Sequence, residues 1–262
     1  MSPLPATRCE FESGVATLTL NRPDKHNAFD DSVIAELLAH LNTLAKREDL
    51  RVLVLKAEGK HFCAGADLAW MKRMVDLSYD DNQADAKQLA TLMQTLEDFP
   101  APTVCRVQGA AYGGAIGLIA CCDIAIASND ARFCLSEVKL GLAPATIGPF
   151  VVKAMGARIC QRLFITAEVF KATLAQQYGL VHECVPRDEL DSAIERTVSH
   201  IISTGPQASR AAKALVKTVS VPGDHMAYTS DLIARLRVSE EGQEGLSAFF
   251  DKRSPNWVTN TH

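Results

Sequence analysis

Two short loops of small residues could present backbone N–H groups to a polarised oxygen. The first reads CAGAD at 63–67 and the second reads AYGG at 111–114, and each joins an apolar strand pattern to a helical pattern. The first N–H groups of a helix lack partners within it and favour negative charge. Two such loops could therefore form an oxyanion hole, where each donor contributes about 3–4 kcal/mol in acyl chemistry. Tight strand-to-helix packing is the alternative explanation of the glycines.

One carboxylate, Glu137 in FCLSEVKLGL, is the candidate acid or base. It follows an apolar run and precedes Val138 and Leu140, and apolar surroundings would raise its pKa and suit it to proton transfer. A plain surface position is the alternative. Asp123, in CCDIAIAS, is interpreted as a structural carboxylate buried beside a strand start.

Bulk composition excludes several classes of protein. The 262 residues carry a net charge of −4, so no basic field would attract nucleic acid. The most apolar segment, 109–122, is shorter than the roughly 20 residues of a membrane span. The eight cysteines and seven histidines show no metal-ligand spacing, so we expect no metal and reduced core thiols. The start, MSPLPATRCEFE, lacks the apolar run of a signal peptide, and we expect a cytoplasmic protein.

Periodicity predicts the elements that would position these loops. A hairpin turning at Ser13-Gly14 precedes a helix over 32–48, for which Asp30 or Asp31 is the predicted cap. Buried strands are predicted at 51–57 and 102–109, followed by two short strands separated by Asn129-Asp130. From about 186 to Phe250 the pattern is helical. The chain is therefore predicted to be α/β with a partly parallel sheet and a helical appendage.

Four segments together resemble the crotonase superfamily, the enoyl-CoA hydratases and isomerases: NRPDKHNAF at 21–29, HFCAGADL at 61–68, VQGAAYGGAIGLIACCDIAIA at 107–127 and FCLSEVKLGLAPA at 133–145. Their order and spacing match the family over nearly the full chain. The resemblance implies a crotonase spiral of ββα units over 1–198. It also implies a C-terminal helical region over 199–262 that builds a homotrimer, or a hexamer from two trimers.

The same resemblance implies an acyl-coenzyme A thioester as the ligand and no separate cofactor. The thioester oxygen would accept hydrogen bonds from the N–H groups of Ala66 and Gly114. Glu137 falls on the second of the two catalytic glutamate positions of hydratases. Coenzyme A would lie along two segments, with candidate contacts at Lys25, Ala28, Ala64, Asp67 and Leu68.

One position departs from the hydratase pattern. The first catalytic glutamate belongs three residues after the oxyanion glycine, where this chain has Gly117. Family members that keep only the second glutamate include double-bond isomerases, in which one base moves a proton between carbons. A second acid from 70–85 or from a neighbouring subunit would restore a two-carboxylate mechanism.

A narrower similarity favours hydration. AGADLAWM, LSEVKLGLAPATIGPFV and RVSEEGQEGLSAFFDKR resemble bacterial methylglutaconyl-CoA and isohexenylglutaconyl-type hydratases. Substrates of that type carry a second carboxylate, for which Lys139 and Lys153 are the candidate cations. The leading hypothesis is thus a hydratase of a branched, carboxylated acyl-CoA. The alternatives are an enoyl-CoA delta-isomerase, or another crotonase that works with one base, and a non-catalytic binding or assembly protein.

Overall fold

The computed structural model describes residues 5–258, in which strands alternate with helices before the chain ends in helices. The described residues form nine strands: β1 (Thr7–Glu12), β2 (Val15–Leu20), β3 (Val52–Ala57), β4 (Thr103–Val107), β5 (Ala110–Tyr112), β6 (Ile124–Ser128), β7 (Arg132–Cys134), β8 (Phe170–Lys171) and β9 (Glu183–Val185). They also form eleven α-helices: α1 (Asp31–Leu44), α2 (Leu68–Met74), α3 (Tyr79–Glu97), α4 (Gly114–Cys121), α5 (Gly148–Met155), α6 (Ala157–Thr166), α7 (Ala172–Gln177), α8 (Leu190–Ile202), α9 (Pro206–Val219), α10 (Met226–Val238) and α11 (Glu240–Phe250).

The main sheet has the order β1-β2-β3-β4-β6-β9 and is parallel except for the β1–β2 hairpin. Its central strands are apolar on both faces, as parallel strands covered by helices on both sides must be. Leu53 and Leu55 point into the larger core with α1 and α3, whereas Val52 and Val54 pack with Leu190 of α8. The predicted partly parallel α/β layering is confirmed.

The predicted hairpin and first helix are also confirmed. The hairpin turns at Ser13 and Gly14, both of which have positive φ, 48° and 81°. Asp30, rather than Asp31, caps α1, because its side chain accepts a hydrogen bond from the Val33 N–H.

A second, small sheet was not predicted as such. It has the order β5-β7-β8, with β5 and β7 parallel and Tyr112 opposite Cys134. The sequence indicated one strand over 102–109, whereas the chain ends β4 at Val107, turns at Gly109 with φ 60°, and starts β5. This turn moves the second loop out of the main sheet, and the small sheet then brings it beside the segment that follows β7.

The C-terminal region is helical, as predicted. The proposed boundary at 198/199 falls inside α8, which packs on β3, β4 and β6. In α9 and α10 no residue is buried, and α11 buries only Ala248. Among the described helices, none combines the length and apolar character needed to cross a membrane.

Candidate active site

The two candidate oxyanion loops lie side by side. A parallel bridge joins Cys63 to Ala111, and the Tyr112 N–H donates to the Cys63 carbonyl at 3.0 Å. Ala66 and Gly114 each lie three residues after this bridged pair. The bridge therefore fixes the two predicted donors on neighbouring segments of backbone.

Both predicted donors have free N–H groups. Within residues 5–258, neither the Ala66 N–H nor the Gly114 N–H donates to a protein acceptor. Gly114 is the first residue of α4, as the sequence indicated, but Ala66 precedes Asp67, which caps α2. Only the second loop thus places its donor in the first turn of a helix, where the helix dipole adds to the hydrogen bond.

Glu137 is carried to the second loop by the small sheet. The Gly113 N–H donates to the Cys134 carbonyl at 2.9 Å, and Glu137 follows Cys134 by three residues. A Cβ atom built on Gly113 would lie 3.4 Å from Glu137 Oε1, so the carboxylate rests against this glycine. Gly113 has φ 54°, which side-chain-bearing residues rarely adopt, and it leaves room for the carboxylate.

The carboxylate of Glu137 is half-buried, and one of its two oxygens has no hydrogen-bond partner among the described residues. Its Oε2 atom is buried and accepts no hydrogen bond from the described residues. Burial raises the pKa of Glu137, and an interaction with its own backbone N–H offsets part of this rise. No charged side chain of the described region contributes to this pKa. The carboxylate can therefore take up or release a proton nearer neutral pH than an exposed glutamate.

Gly117 occupies the position at which hydratases of the family that this sequence resembles have their first glutamate. In this protein the space for a side chain at that position is filled by other residues. A Cβ atom on Gly117 would come within 2.4 Å of Ile147 Cγ2 and 2.9 Å of Met93 Sδ. Both neighbours are fully buried in the main core. The third glycine of the α4 segment is therefore required by close packing, and the missing glutamate is replaced by an apolar contact.

Gly117→Ala is expected to lower the free energy of unfolding by about 1–3 kcal/mol, the usual cost of overpacking a core. Helix propensity alone would favour alanine by about 0.5–1 kcal/mol, so the sign of the change tests the packing. Urea denaturation measures it, with Gly148→Ala as control because its Cβ would meet nothing closer than 3.8 Å. Stability equal to or above that of the wild type would contradict the contact.

The segment 22–29 is anchored by Asn27, a contact that was not predicted from the sequence. Asn27 is buried, has φ 55°, and its amide donates to the carbonyls of Glu58 (2.8 Å) and His61 (2.9 Å). Its Oδ1 accepts from the Arg22 N–H at 2.9 Å. Asparagine tolerates the left-handed region better than most residues, and that preference was the available signal.

The predicted coenzyme A contacts lie on two adjoining segments. The Ala64 N–H donates to the His26 carbonyl at 3.0 Å, and Lys25 Nζ lies 3.4 Å from Asp67 Oδ2. The structure thus brings Lys25, and Ala28 three residues later, beside the 64–68 loop. Leu68 is 82% exposed on that loop and open to a ligand. These contacts with coenzyme A stay predictions.

Asp67 is already engaged in several interactions. It caps α2 by accepting from the N–H groups of Ala69 and Trp70, and it pairs with Arg22 at 2.9 Å. Burial alone would raise the pKa of Asp67, but these N–H groups and the Lys25 ammonium outweigh it and hold the pKa below its ordinary value. Its role in the described chain is to hold the first loop in place.

Two other sequence predictions concern side chains outside this site. Asp123 is structural, as predicted, accepting from the Thr103 N–H at 2.7 Å and pairing with Lys213, but its side chain is 31% exposed rather than buried. Lys153 pairs with Glu97 and lines a cavity of about 790 Å³ between α4, α5 and α9. Neither Glu137 nor either oxyanion loop lines that cavity. We place the site at the loops because the free donors and the unpartnered carboxylate meet there.

The eight cysteines all carry free thiols, and six of them are buried. Burial raises the pKa of Cys63, in the first loop, to about 12. The six buried thiols pack as small apolar groups, as predicted from the sequence.

Comparison with known proteins identifies the family. The profile of the family described as Enoyl-CoA hydratase/isomerase matches residues 10–260. A solved enoyl-CoA hydratase from Shewanella pealeana is 48% identical, with a TM-score of 0.92 over 96% of each chain. A solved Legionella pneumophila protein, assigned as an enoyl-CoA hydratase/isomerase (crotonase), is 47% identical, with a TM-score of 0.93 over 97% of this chain and 100% of that one.

This chain is also similar to a relative that is named as an isomerase. The trans-2-decenoyl-[acyl-carrier-protein] isomerase of Streptococcus mutans is 31% identical over 253 residues, which is 94% of this chain and 95% of the relative. The family profile and these full-length similarities agree with the resemblance found in the four sequence segments. The chain therefore belongs to the enoyl-CoA hydratase/isomerase family and has the crotonase fold.

Proposed function

We propose that this protein hydrates an enoyl-CoA thioester, or catalyses the reverse dehydration, with Glu137 as the single side chain that moves protons. The buried, unpartnered Oε2 of Glu137 beside the second loop is the observation that carries this proposal. An unpaired buried polar atom is costly unless something occupies it. A water molecule donating to Oε2 would supply the missing hydrogen bond and would also be the nucleophile.

The reaction follows from the positions of these groups. The water oxygen attacks the β-carbon as its proton passes to Glu137, and the double-bond electrons move toward the thioester oxygen. The N–H groups of Ala66 and Gly114 donate to that oxygen as its negative charge grows. Glu137 then returns the proton to the α-carbon and the carbonyl re-forms, so one water has been added. Coenzyme A bound along the 25–28 and 64–68 segments would hold the thioester between the two N–H donors and Glu137.

The proposed acyl group is branched and carboxylated, of the 3-methylglutaconyl type. Lys139 supports this choice: it is exposed, lies two residues after Glu137, and forms no ion pair within residues 5–258. The other candidate, Lys153, is committed to Glu97. An exposed ammonium two residues from Glu137 along the chain could pair with a distal substrate carboxylate.

Lys139→Gln is expected to lower kcat/KM for 3-methylglutaconyl-CoA about tenfold or more, because a charge-assisted hydrogen bond contributes about 1.5–3 kcal/mol. The kcat/KM for crotonyl-CoA, which has no distal carboxylate, should stay within about threefold. Steady-state kinetics with both thioesters measures this, with Lys153→Gln as the control that should change neither. Equal losses for both substrates would contradict the assigned role of Lys139.

The primary assay is direct. Purified protein is incubated with 3-methylglutaconyl-CoA and with crotonyl-CoA, and the 3-hydroxyacyl-CoA product is measured by mass spectrometry. Hydration of at least one, with preference for the carboxylated thioester, is expected. Failure to hydrate either would overturn the proposal.

An enoyl-CoA delta-isomerase is the second candidate, favoured by the apolar contact at Gly117 and by the isomerase name of the Streptococcus mutans relative. Glu137 would then take a proton from the α-carbon of a 3-enoyl-CoA and return it to the γ-carbon. Turnover in ¹⁸O-labelled water separates the two reactions. Label in the product indicates hydration, and a shifted double bond without label indicates isomerisation.

We further propose that the protein is a homotrimer or a hexamer. The support is apolar surface on the C-terminal helices, which a soluble monomer rarely leaves open. Side chains at least 64% exposed there include Val216, Met226, Val238, Phe249 and Phe250. Light scattering after gel filtration tests this: a monomeric mass would contradict it.

A further inference from the structure

Phe29 makes backbone contacts with the first oxyanion loop. The Phe29 N–H donates to the Gly65 carbonyl at 2.8 Å, and the Asp67 N–H donates to the Phe29 carbonyl at 2.6 Å. Phe29 and Ala66 therefore form a parallel bridge, because Phe29 is hydrogen-bonded to the residues on either side of Ala66. In such a bridge the N–H of the middle residue points away from the partner strand. The Phe29 backbone thus sets the direction in which the Ala66 N–H points.

The ring of the same residue touches the second loop. A Cβ atom on Gly114 would lie 3.4 Å from both Cδ2 and Cε2 of Phe29. The ring is 2% exposed and belongs to the main core, so it cannot move without repacking its neighbours. Phe29 is therefore hydrogen-bonded to the segment that carries Ala66 and packed against the segment that carries Gly114.

We propose that Phe29 is a positioning residue that sets the spacing of the two oxyanion donors. This inference rests on the proposed function, since it assumes that Ala66 and Gly114 act on a thioester oxygen. The backbone of Phe29 fixes one donor and its ring limits how closely the other can approach. A smaller side chain would let the start of α4 shift toward the first loop while both N–H groups remain present.

The effect of such a shift falls on the chemical step. Hydrogen bonds to the thioester oxygen strengthen as negative charge develops, so a misplaced donor costs more in the transition state than in the bound substrate. A substitution distant from the reacting atoms that misplaces a catalytic group by about 1 Å can lower the rate by up to about 100-fold. A residue that serves only to fill the core would instead lower stability and leave kcat unchanged.

The test compares Phe29→Leu with Phe99→Leu in the full chain. Both phenylalanines are buried in the same core, but Phe99 lies after α3 and lines the cavity between α4, α5 and α9. We expect Phe29→Leu to lower kcat by about 10–100-fold with KM within about threefold. Phe99→Leu should keep kcat within about threefold at a similar loss of stability. Should Phe29→Leu not fold, the same comparison is made with Phe29→Met, whose unbranched side chain adapts more readily to an irregular space.

A spectroscopic measurement separates this inference from the proposed function. Butyryl-CoA carrying ¹³C at the thioester carbonyl cannot be hydrated, and the infrared band of that carbonyl reports the hydrogen bonds it accepts. We expect the wild type and Phe99→Leu to shift the band to lower frequency and Phe29→Leu to shift it less. A bound thioester with no shift in the wild type would overturn the oxyanion assignment itself. Equal shifts in all three proteins, or equal kcat in the two leucine variants, would overturn the role of Phe29 alone.

Discussion

Glu137→Gln is expected to reduce kcat by about 10³-fold, within the range of about 10²–10⁴ that a positioned acid or base contributes. Glutamine keeps the size of the side chain and can occupy the place beside Gly113, but it neither accepts the proton of water nor returns it. Burial, and not a neighbouring acid, raises the pKa of this carboxylate, so we expect no substitute base among the described residues. The measurement is steady-state kinetics on the thioester that the wild type hydrates fastest.

Binding supplies the control for this variant. Titration with butyryl-CoA should give the same affinity for wild type and Glu137→Gln within about threefold, because the oxyanion donors and the 25–28 segment are untouched. Retained binding with collapsed turnover would exclude a non-catalytic binding or assembly protein. Full turnover in the variant would refute the role of Glu137.

Stability supplies a second control, and its sign follows from the pKa. The pKa of Glu137 is raised on folding, so the folded protein binds this proton more tightly than the unfolded chain. The resulting stabilisation is present below the ordinary pKa of glutamate and is lost as the pH rises through the raised value. Glutamine has no such dependence. The free energy of unfolding of Glu137→Gln, relative to wild type, should therefore increase as the pH rises across that window.

Gly114→Pro is expected to lower kcat by about 10²–10³-fold, the effect of removing one oxyanion donor. Proline has no N–H, and the first position of a helix is where its ring is best tolerated, since that N–H has no partner in the helix. Gly114 occupies this position in α4. The variant should thus remain folded, which circular dichroism checks, although some disturbance of the helix start beside Phe29 is expected.

Gly114→Ala is the matched control, because it adds a side chain but keeps the N–H. Its Cβ would lie 3.4 Å from the Phe29 ring, a tight contact that small movements can relieve. We expect a loss of kcat below about tenfold, clearly smaller than that of the proline variant. Full activity in folded Gly114→Pro, or equal losses in the two variants, would contradict the oxyanion role.

Much of the fold could be predicted because it depends on local patterns. The hairpin, the apolar strands predicted at 51–57 and 102–109, the second of which ends at Val107, and the helix after Asp30 follow from alternation, helical periodicity and a capping side chain. The two loops of small residues and Glu137 were also identified from residue types and spacing. Glu137 then gained its role by resemblance, because an apolar flank alone fits a surface position equally well.

The rest depends on contacts between distant parts of the chain. Ile147 is 30 positions from Gly117, and nothing near Gly117 in the sequence indicates that its side-chain space is occupied. Likewise, β5 is three residues long, and its pairing with β7 is what distinguishes it from the strand before it. Short strands carry too little periodicity to be assigned without their partners.

The sequence by itself determined the family and indicated two candidate donor loops and a candidate carboxylate, because each needs particular residue types at fixed spacing. Only the tertiary structure decided how they work together. The Cys63–Ala111 bridge aligns the donors, and Gly113 leaves room for Glu137. The contact between Gly117 and Ile147 closes the place of a second glutamate. The direction of an N–H group and the space beside a glycine depend on residues that pack there from distant parts of the chain, so they could not be predicted from the local sequence.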